Sequence, residues 1–330
     1  MPVLAAQLAP QRSTQYADLA AALAPAELRL CLGVDGIGDL EPVTLAGQRF
    51  LRFSMPALPT PAQLDELGRL ATVSALFELH DRVGDQPGPW LRPLETGYRP
   101  ALPPELVVTR RYRGKTNELL SHFLCNLARY SSAFRDQPWR SLRVFDPLAG
   151  GGTLLFAALV LGAEAAGVEQ DQQDVRTTVA FVRQFAQEEG IVCRVKEERL
   201  RRLGHRWTLT LGKEQPQRCL LAHGDTAQAA ALIGGFKPHL LVTDLPYGIQ
   251  HQGGLADLLT RALPVWAGLL PPGGALAFAW DATRFDRAQM CGLVEAMAPL
   301  AVLSGPSYDQ LAHRVDRVIK RRDLLVARRL

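Results

Sequence analysis

Four acidic residues stand at the ends of short apolar runs: Asp146 after LRVF, Glu169 after EAAGV, Asp225 after CLLAHG, and Asp244 after HLLVT. The first run continues as FDPLAGGGTLL, placing Asp146 and Pro147 before Ala149, Gly150, Gly151, Gly152 and Thr153. Three glycines allow a tight turn and let a ligand approach the main chain without meeting a Cβ. A P-loop would need Lys-Ser/Thr after its last glycine, and Thr153-Leu154 stands there instead. Asp146 would repel a phosphate but suits a ligand carrying an ammonium or sulfonium cation. Glu169 follows the glycines by about 20 residues, the spacing at which a carboxylate accepts hydrogen bonds from ribose hydroxyls. An acid opening the next helix is the other reading of Glu169. Asp225 is placed to meet an adenine amino group or, equally, to cap a helix.

The segment TDLPYG, residues 243–248, separates the nucleoside chemistries. An exocyclic amine of a nucleobase is a poor nucleophile because its lone pair is delocalised into the ring. Two acceptors gripping the amino hydrogens favour the pyramidal, nucleophilic form. The Asp244 carboxylate and the Leu245 carbonyl, at the bend set by Pro246, form such a pair, and Tyr247 offers a face on which a base can stack. Hydride transfer has no use for this arrangement, which places a nicotinamide cofactor behind a methyl donor.

These residues need strand ends to hold them, and the chain supplies a βα rhythm. LRVFD, EAAGVE, CLLAHGD, HLLVTD and GALAFAW read as strands. TLLFAALVLG and DVRTTVAFVRQFAQEEG read as helices, and DRVIKRRDLLVARR as a final strand or hairpin. Strands alternating with helices specify a mostly parallel sheet covered on both faces, with ligands at the carboxyl ends of the strands. The expected fold is α/β, a Rossmann-like class I methyltransferase sheet over residues 106–330, preceded by a small α+β domain at 1–85. Residues 86–105, rich in Pro and Gly, read as a linker. Within 1–85, ADLAAALAPAELRLCLG carries helix-like residues, GQRFLRFSM alternates like a strand, and PAQLDELGRLATVSALFEL shows the i, i+3, i+4 spacing of a helix.

The order of motifs resembles the amino-methyltransferases, whose first motif is DP-F-x-G-x-G-T and whose catalytic motif is Asp/Asn-Pro-Pro-Tyr/Phe. Leu245 departs from the commonest form, at a position that contributes its carbonyl. The D-L-P-aromatic-G variant, with RRYRGKTNELL at 110–120, is similar to the THUMP-associated RNA guanine-N2 methyltransferases. The resemblance covers about residues 106–330. It implies S-adenosyl-L-methionine as cofactor and RNA, tRNA above all, as partner. It implies a cofactor site of Lys115, Thr116, Asn117, Asp146, Pro147, Ala149, Gly150, Gly151, Gly152, Thr153, Glu169, Gln170, Gly224, Asp225, Thr226 and Asp244. Asp244, Leu245, Pro246 and Tyr247 would then hold the target amine. Two alternatives stay open: a DNA N6-adenine methyltransferase, and a module that binds cofactor or RNA without turnover.

Composition agrees with this frame. The chain of 330 residues exceeds the roughly 100–200 of one domain. Its mean hydropathy of -0.01 is that of an ordinary globular protein. No apolar run or leader-like N-terminus points to a membrane, so a cytoplasmic location is expected. Five scattered cysteines without CxxC pairing suggest reduced thiols, and His80, His122, His223, His251 and His313 lack ligand spacing, so no metal is expected. Residues 1–105 hold 8 Arg, no Lys and 12 acids, net −4, whereas 106–330 hold 29 Lys+Arg and 21 acids, net +8. A polyanion should lie mainly on the second part. There, residues 190–216 suit a β-hairpin turning near Leu203-Gly204 and carrying Arg194, Lys196, Arg199, Arg201, Arg202, His205, Arg206 and Lys213 with Trp207. It reads equally as a nucleic-acid contact arm or as a solvated hairpin.

Overall fold

A computed structural model describes residues 1–10, 18–33, 36–38, 40–112, 114–246, 254–297, 299–315 and 320–330. The chain divides into two compact units, Met1–Arg99 with Ser304–Arg322, and Pro100–Leu303 with Asp323–Leu330.

The first unit contains β1 (Val3–Leu8), α1 (Leu19–Leu32), β2 (Glu41–Leu45), β3 (Gln48–Ser54), α2 (Pro61–Leu67), β4 (Val73–Val83) and β5 (Gln86–Leu94). Its strands form an antiparallel sheet in the order β2-β3-β1-β4-β5. Helix α1 sends Glu27 into the core, where its carboxylate accepts from the Ala71 and Thr72 amides at 3.0 and 2.9 Å and from the Thr72 hydroxyl at 2.6 Å. Three donors satisfy a buried charge that would otherwise be costly.

Two sequence expectations are corrected here. The helical spacing read over PAQLDELGRLATVSALFEL holds only for α2, started by a Thr60–Gln63 capping box with Pro61 in the first turn. The helix stops at Gly68, where a Cβ would come within 2.6 Å of the Thr96 hydroxyl. The β-branched Thr72 and Val73 then lead into β4, which pairs with β1. Nor are residues 86–94 a linker: β5 lies at the edge of the sheet, the one place where Pro87, Pro89 and Pro93 cost few ladder bonds. The unit also extends past 85 to Arg99 and takes in Ser304–Arg322.

The second unit runs through α3 (Glu105–Val108), α4 (Glu118–Ser131), β6 (Arg143–Asp146), α5 (Thr153–Leu161), β7 (Glu164–Glu169), α6 (Gln172–Glu188), β8 (Cys193–Leu200), β9 (Gly204–Leu211) and β10 (Gln217–His223). It continues with α7 (Ala229–Ile233), β11 (Leu240–Asp244), α8 (Gly254–Leu269), β12 (Ala275–Asp281), α9 (Arg287–Met297), β13 (Leu300–Val302) and β14 (Arg322–Arg329). These strands make one sheet in the order β13-β14-β12-β11-β6-β7-β10-β9-β8. Strands β12, β11, β6, β7 and β10 are parallel, while β9 runs antiparallel to β10 and β8 to β9. This is the doubly wound, Rossmann-like α/β arrangement expected from the βα rhythm.

The order turns back between β6 and β11: β7 and β10 extend the sheet on one side, β11 and β12 on the other. A crevice opens at the carboxyl ends of strands at such a switch point. Beneath it Phe145, Ala166, Leu220, Leu241 and Phe278 of the strands pack with Trp266 of α8 in one core cluster. Helix α5 has no polar residue after Thr153 and is buried on every side, so its N-terminus is fixed under the glycine turn. No helix among the described residues is long and apolar enough to cross a membrane.

Candidate active site

The carboxyl ends of β6, β7, β10 and β11 converge on a cavity of about 650 Å³. Its wall includes Pro147, Gly150, Glu169, Gln170, Gly224, Asp225, Thr226, Asp244 and Pro246, all singled out from the sequence. Helix α8 adds Gly254, Asp257, Leu258 and Arg261. The volume is that of a small-molecule site.

The glycine turn is built so that one of its three glycines faces open space. Gly150 has φ +47, and a Cβ there would meet no atom within 4 Å. Gly151 is covered instead by the Tyr112 ring, which a Cβ would strike. Gly152, at φ +88, backs onto Phe156 and Thr178 and starts α5. Ala149 is buried and donates its amide to the Val168 carbonyl at 2.9 Å, tying the turn to β7. Thr153 is also buried, its hydroxyl 2.5 Å from the Tyr112 hydroxyl.

Glu169 holds the turn from the side. Its carboxylate accepts from the Gly150 amide and the Asp171 amide, both at 2.8 Å. Each oxygen keeps a lone pair with which to meet a ribose hydroxyl. Asp146 is buried at the end of β6 and accepts from the Leu148 amide at 3.1 Å. Burial lifts its pKa to about 7; the charges of Glu169 and Asp244 add to the rise and the Leu148 hydrogen bond opposes it.

Asp225 takes the capping role, and it also lines the cavity. One oxygen caps the turn after β10 by accepting from the Ala227 amide at 2.9 Å, and the other meets Arg261 at 3.2 Å. Arg261 also reaches Asp257, four residues earlier on α8, at 3.2 Å. The Thr226 hydroxyl turns inward to accept from the Trp266 indole at 3.0 Å.

Asp244 ends β11 beside Asp146 and accepts from the Thr116 hydroxyl at 2.9 Å. Leu245 is fully buried, and its amide donates to the Ala279 carbonyl at 2.9 Å, which fixes the peptide that follows the aspartate. Tyr247, with Gly248 and His251, lies outside the described residues.

The segment before α4 divides in a way its sequence does not show. Thr116 reaches Asp244. Asn117 caps α4 by accepting from the Leu120 amide at 3.1 Å. Lys115, expected at the cofactor, is turned away: its ammonium donates to the Val107 carbonyl at 2.9 Å and pairs with Glu118 at 2.5 Å. The last turn of α3 offers carbonyls that lack intrahelical donors, and Glu118 in the first turn of α4 supplies the opposite charge.

Arg110 and Tyr112 were missed by sequence reasoning. The Arg110 guanidinium donates to the Gly151 carbonyl at 2.5 Å and to the hydroxyls of Thr177, at 2.9 Å, and Thr178, clamping the turn to α6. It lies over the Tyr112 ring, 5.1 Å from its centroid. Both residues stand inside the RRYRGKTNELL motif, which was the available signal. Asp257 and Arg261 form an i, i+4 pair that reads in sequence as an ordinary solvated helix face.

The lining is acidic. Among the described residues, Glu169, Asp225, Asp244 and Asp257 face the cavity with Arg261 as the basic residue, itself engaged by two of the aspartates. Such a lining disfavours a polyphosphate and fits a nucleoside carrying positive charge. The opening at Gly150 and the acid at Glu169 fit the ribose of that nucleoside. The cavity can hold a cationic nucleoside against β6 and β7 while Asp244 addresses a second group.

No protein-family model matches the chain, and no curated protein matches it in sequence. Among solved structures, TrmN from Thermus thermophilus is similar, with 15% identity over 100% of both chains and a TM-score of 0.48. A 16S rRNA N2 G1207 methyltransferase from T. thermophilus, in complex with AdoMet and guanosine, shares 18% identity over 97% of this chain and 70% of its own, with a TM-score of 0.39. Magnesium protoporphyrin IX methyltransferase from Synechocystis shares 13% over 67% of this chain and 86% of its own, with a TM-score of 0.40. The last two are named for unlike substrates, a 16S rRNA guanine and magnesium protoporphyrin IX. At these values the likeness decides neither substrate nor residue roles, which rest on the cavity.

Proposed function

We propose that this chain transfers a methyl group from S-adenosyl-L-methionine to an exocyclic amino nitrogen of a nucleobase, guanine N2 of an RNA, with tRNA as the substrate class. One observation carries the reading: Asp244 and the nucleoside-binding pair Gly150–Glu169 line the same cavity.

The cofactor supplies an electrophilic methyl on a sulfonium cation. Gly150 admits the nucleoside to the main chain, Glu169 accepts from its ribose, and Arg110 and Tyr112 keep the glycine turn closed from behind. Asp244 and the Leu245 carbonyl accept the two amino hydrogens, turning the nitrogen lone pair toward the methyl. The aspartate would also stabilise the positive charge that develops on nitrogen as the N–C bond forms and the methyl's bond to sulfur breaks, the cofactor leaving as a neutral thioether and the nitrogen's extra proton passing to the carboxylate or to solvent. Thr116 holds one oxygen of Asp244, so the carboxylate plane is set before the base arrives. Much of the rate then comes from positioning. A base inside a duplex cannot reach this crevice, so the target nucleotide is flipped out or already unpaired.

The test offers tRNA, ribosomal RNA and duplex DNA to the protein with labelled cofactor and digests each to nucleosides. The expected product is N2-methylguanosine in RNA. Label in N6-methyladenine of DNA assigns the protein to the other amine. No label in any substrate, with cofactor still bound, leaves a binding module.

A further inference from the structure

The basic hairpin outside the cavity is placed by the topology at its rim. Strand β10 runs parallel to β7 and ends at His223, the residue before the cavity-lining Gly224. Strand β9 is antiparallel to β10, with His205 opposite His223, and β8 closes the hairpin with Leu200 opposite Gly204. The turn Arg201-Arg202-Leu203 therefore lies on the carboxyl edge of the sheet, the same edge as the cavity. It touches the wall: a Cβ on Gly224 would stand 3.3 Å from the Leu203 carbonyl, and one on Gly204 would strike the His223 carbonyl.

Charge at this turn is left over after the hairpin's own pairs are counted. Glu198 meets Arg206 at 3.0 Å and Lys196 at 3.4 Å, and Glu197 meets His205 at 3.1 Å. Arg199, Arg201 and Arg202 are exposed and form no ion pair with a described residue. Arg202 holds φ +63, a left-handed conformation that glycine or asparagine takes far more readily. The turn thus keeps a cation where backbone preference calls for a small residue. Trp207 does not contribute, which corrects its expected place in a contact arm. It is buried on the inner face of β9, stacked on His205 at 5.7 Å. What the tip offers is charge without an aromatic platform.

We propose that the β8–β9 tip, through Arg199, Arg201 and Arg202, is a docking element for the RNA phosphate backbone at the rim of the cavity. The inference rests on the RNA reading above and adds where the strand lies. Asp244 and the tip are separated by the four strand spacings from β11 to β9, roughly 19 Å at about 4.8 Å each. A flipped-out base and a few flanking nucleotides span that distance, so the tip holds phosphates next to the target and reads no base.

The test uses the full chain, unfractionated tRNA and labelled cofactor. R201A/R202G should raise KM for tRNA about tenfold. It should also flatten the dependence of log KM on log salt by about one unit per lost phosphate contact. Turnover at saturating tRNA and cofactor affinity should match wild type. R202G alone should raise KM while melting no lower than wild type, because glycine accepts the left-handed turn freely. R202K keeps the charge and the strained conformation, and should return KM toward wild type. Unchanged KM and salt slope in R201A/R202G, or a lysine variant as impaired as the glycine one, overturns the docking role even though tRNA is methylated. If wild type methylates no RNA at all, the reading beneath falls, and this inference with it.

Discussion

The Thr116 hydroxyl donates to the Asp244 carboxylate at 2.9 Å across 128 positions of chain. It joins the segment before α4 to the end of β11. Arg110 and Tyr112, a few residues earlier, grip the glycine turn at Gly151 and Thr153. Arg110, Tyr112 and Thr116 therefore set both the glycine turn and the carboxylate at the end of β11.

Asp244→Ala should lower methyl transfer by at least about two orders of magnitude, the usual scale of one lost transition-state contact, with cofactor affinity nearly unchanged in calorimetry. Thr116→Val removes the donor but keeps the shape and the acid. Its turnover should fall by about tenfold, with Thr116→Ser restoring most of it. If the Val variant turns over like wild type, Asp244 is oriented by something else.

Gly150→Val should abolish binding of S-adenosylmethionine in titration calorimetry, because the added side chain occupies the cavity and nothing else. The protein should still fold, with a lower melting temperature from a branched residue at positive φ. Gly151→Ala is the contrasting case. Its Cβ strikes the Tyr112 ring, so it should cost about 1–3 kcal/mol of stability by overpacking. Wild-type cofactor affinity in the Gly150 variant would place the ligand elsewhere.

Asp146 has a pKa of about 7 in the fold against about 3.9 in an unfolded chain. An acid whose pKa is higher when folded binds its proton more tightly in the folded state. Its contribution to stability is full below pH 4 and is lost as pH rises through 7. Asp146→Asn keeps an acceptor for the Leu148 amide and removes the titration. Its melting temperature relative to wild type should therefore climb between pH 4 and pH 7 and level off above. In wild type, affinity for the cationic cofactor should rise over the same window as the carboxylate ionises, and in the Asn variant it should stay flat. A difference between the two proteins that does not vary with pH would mean Asp146 is already ionised at pH 4.

Much of the second unit was legible because it follows local rules. Apolar runs ending in Asp146, Glu169, Asp225 and Asp244 announced buried parallel strands, and all four acids came to the carboxyl edge of one sheet. Parallel strands buried on both faces tolerate little else, so their sequence is nearly as informative as their structure. The first unit was harder. TVSALFEL satisfies a helix and a strand alike, and pairing with β1 decided it. The prolines of QPGPWLRPL read as a linker because their cost depends on whether a strand lies at an edge, which the sequence does not state.

By itself, the sequence determined which residues could do chemistry: a glycine turn behind an acid, a second acid one strand along, and an acid before a rigid Leu-Pro. Spacing suffices there, since strand ends carry these groups wherever the sheet forms. Only the tertiary structure decided how they are used. It turned Lys115 away to the carbonyls of α3, brought Thr116 to Asp244, stacked Tyr112 on Gly151, and set the Leu203 carbonyl of the hairpin turn against Gly224. Most of those contacts depend on flexible side chains with several partners of similar strength, and that of Thr116 with Asp244 spans 128 positions. Which partner wins depends on packing that no local pattern encodes.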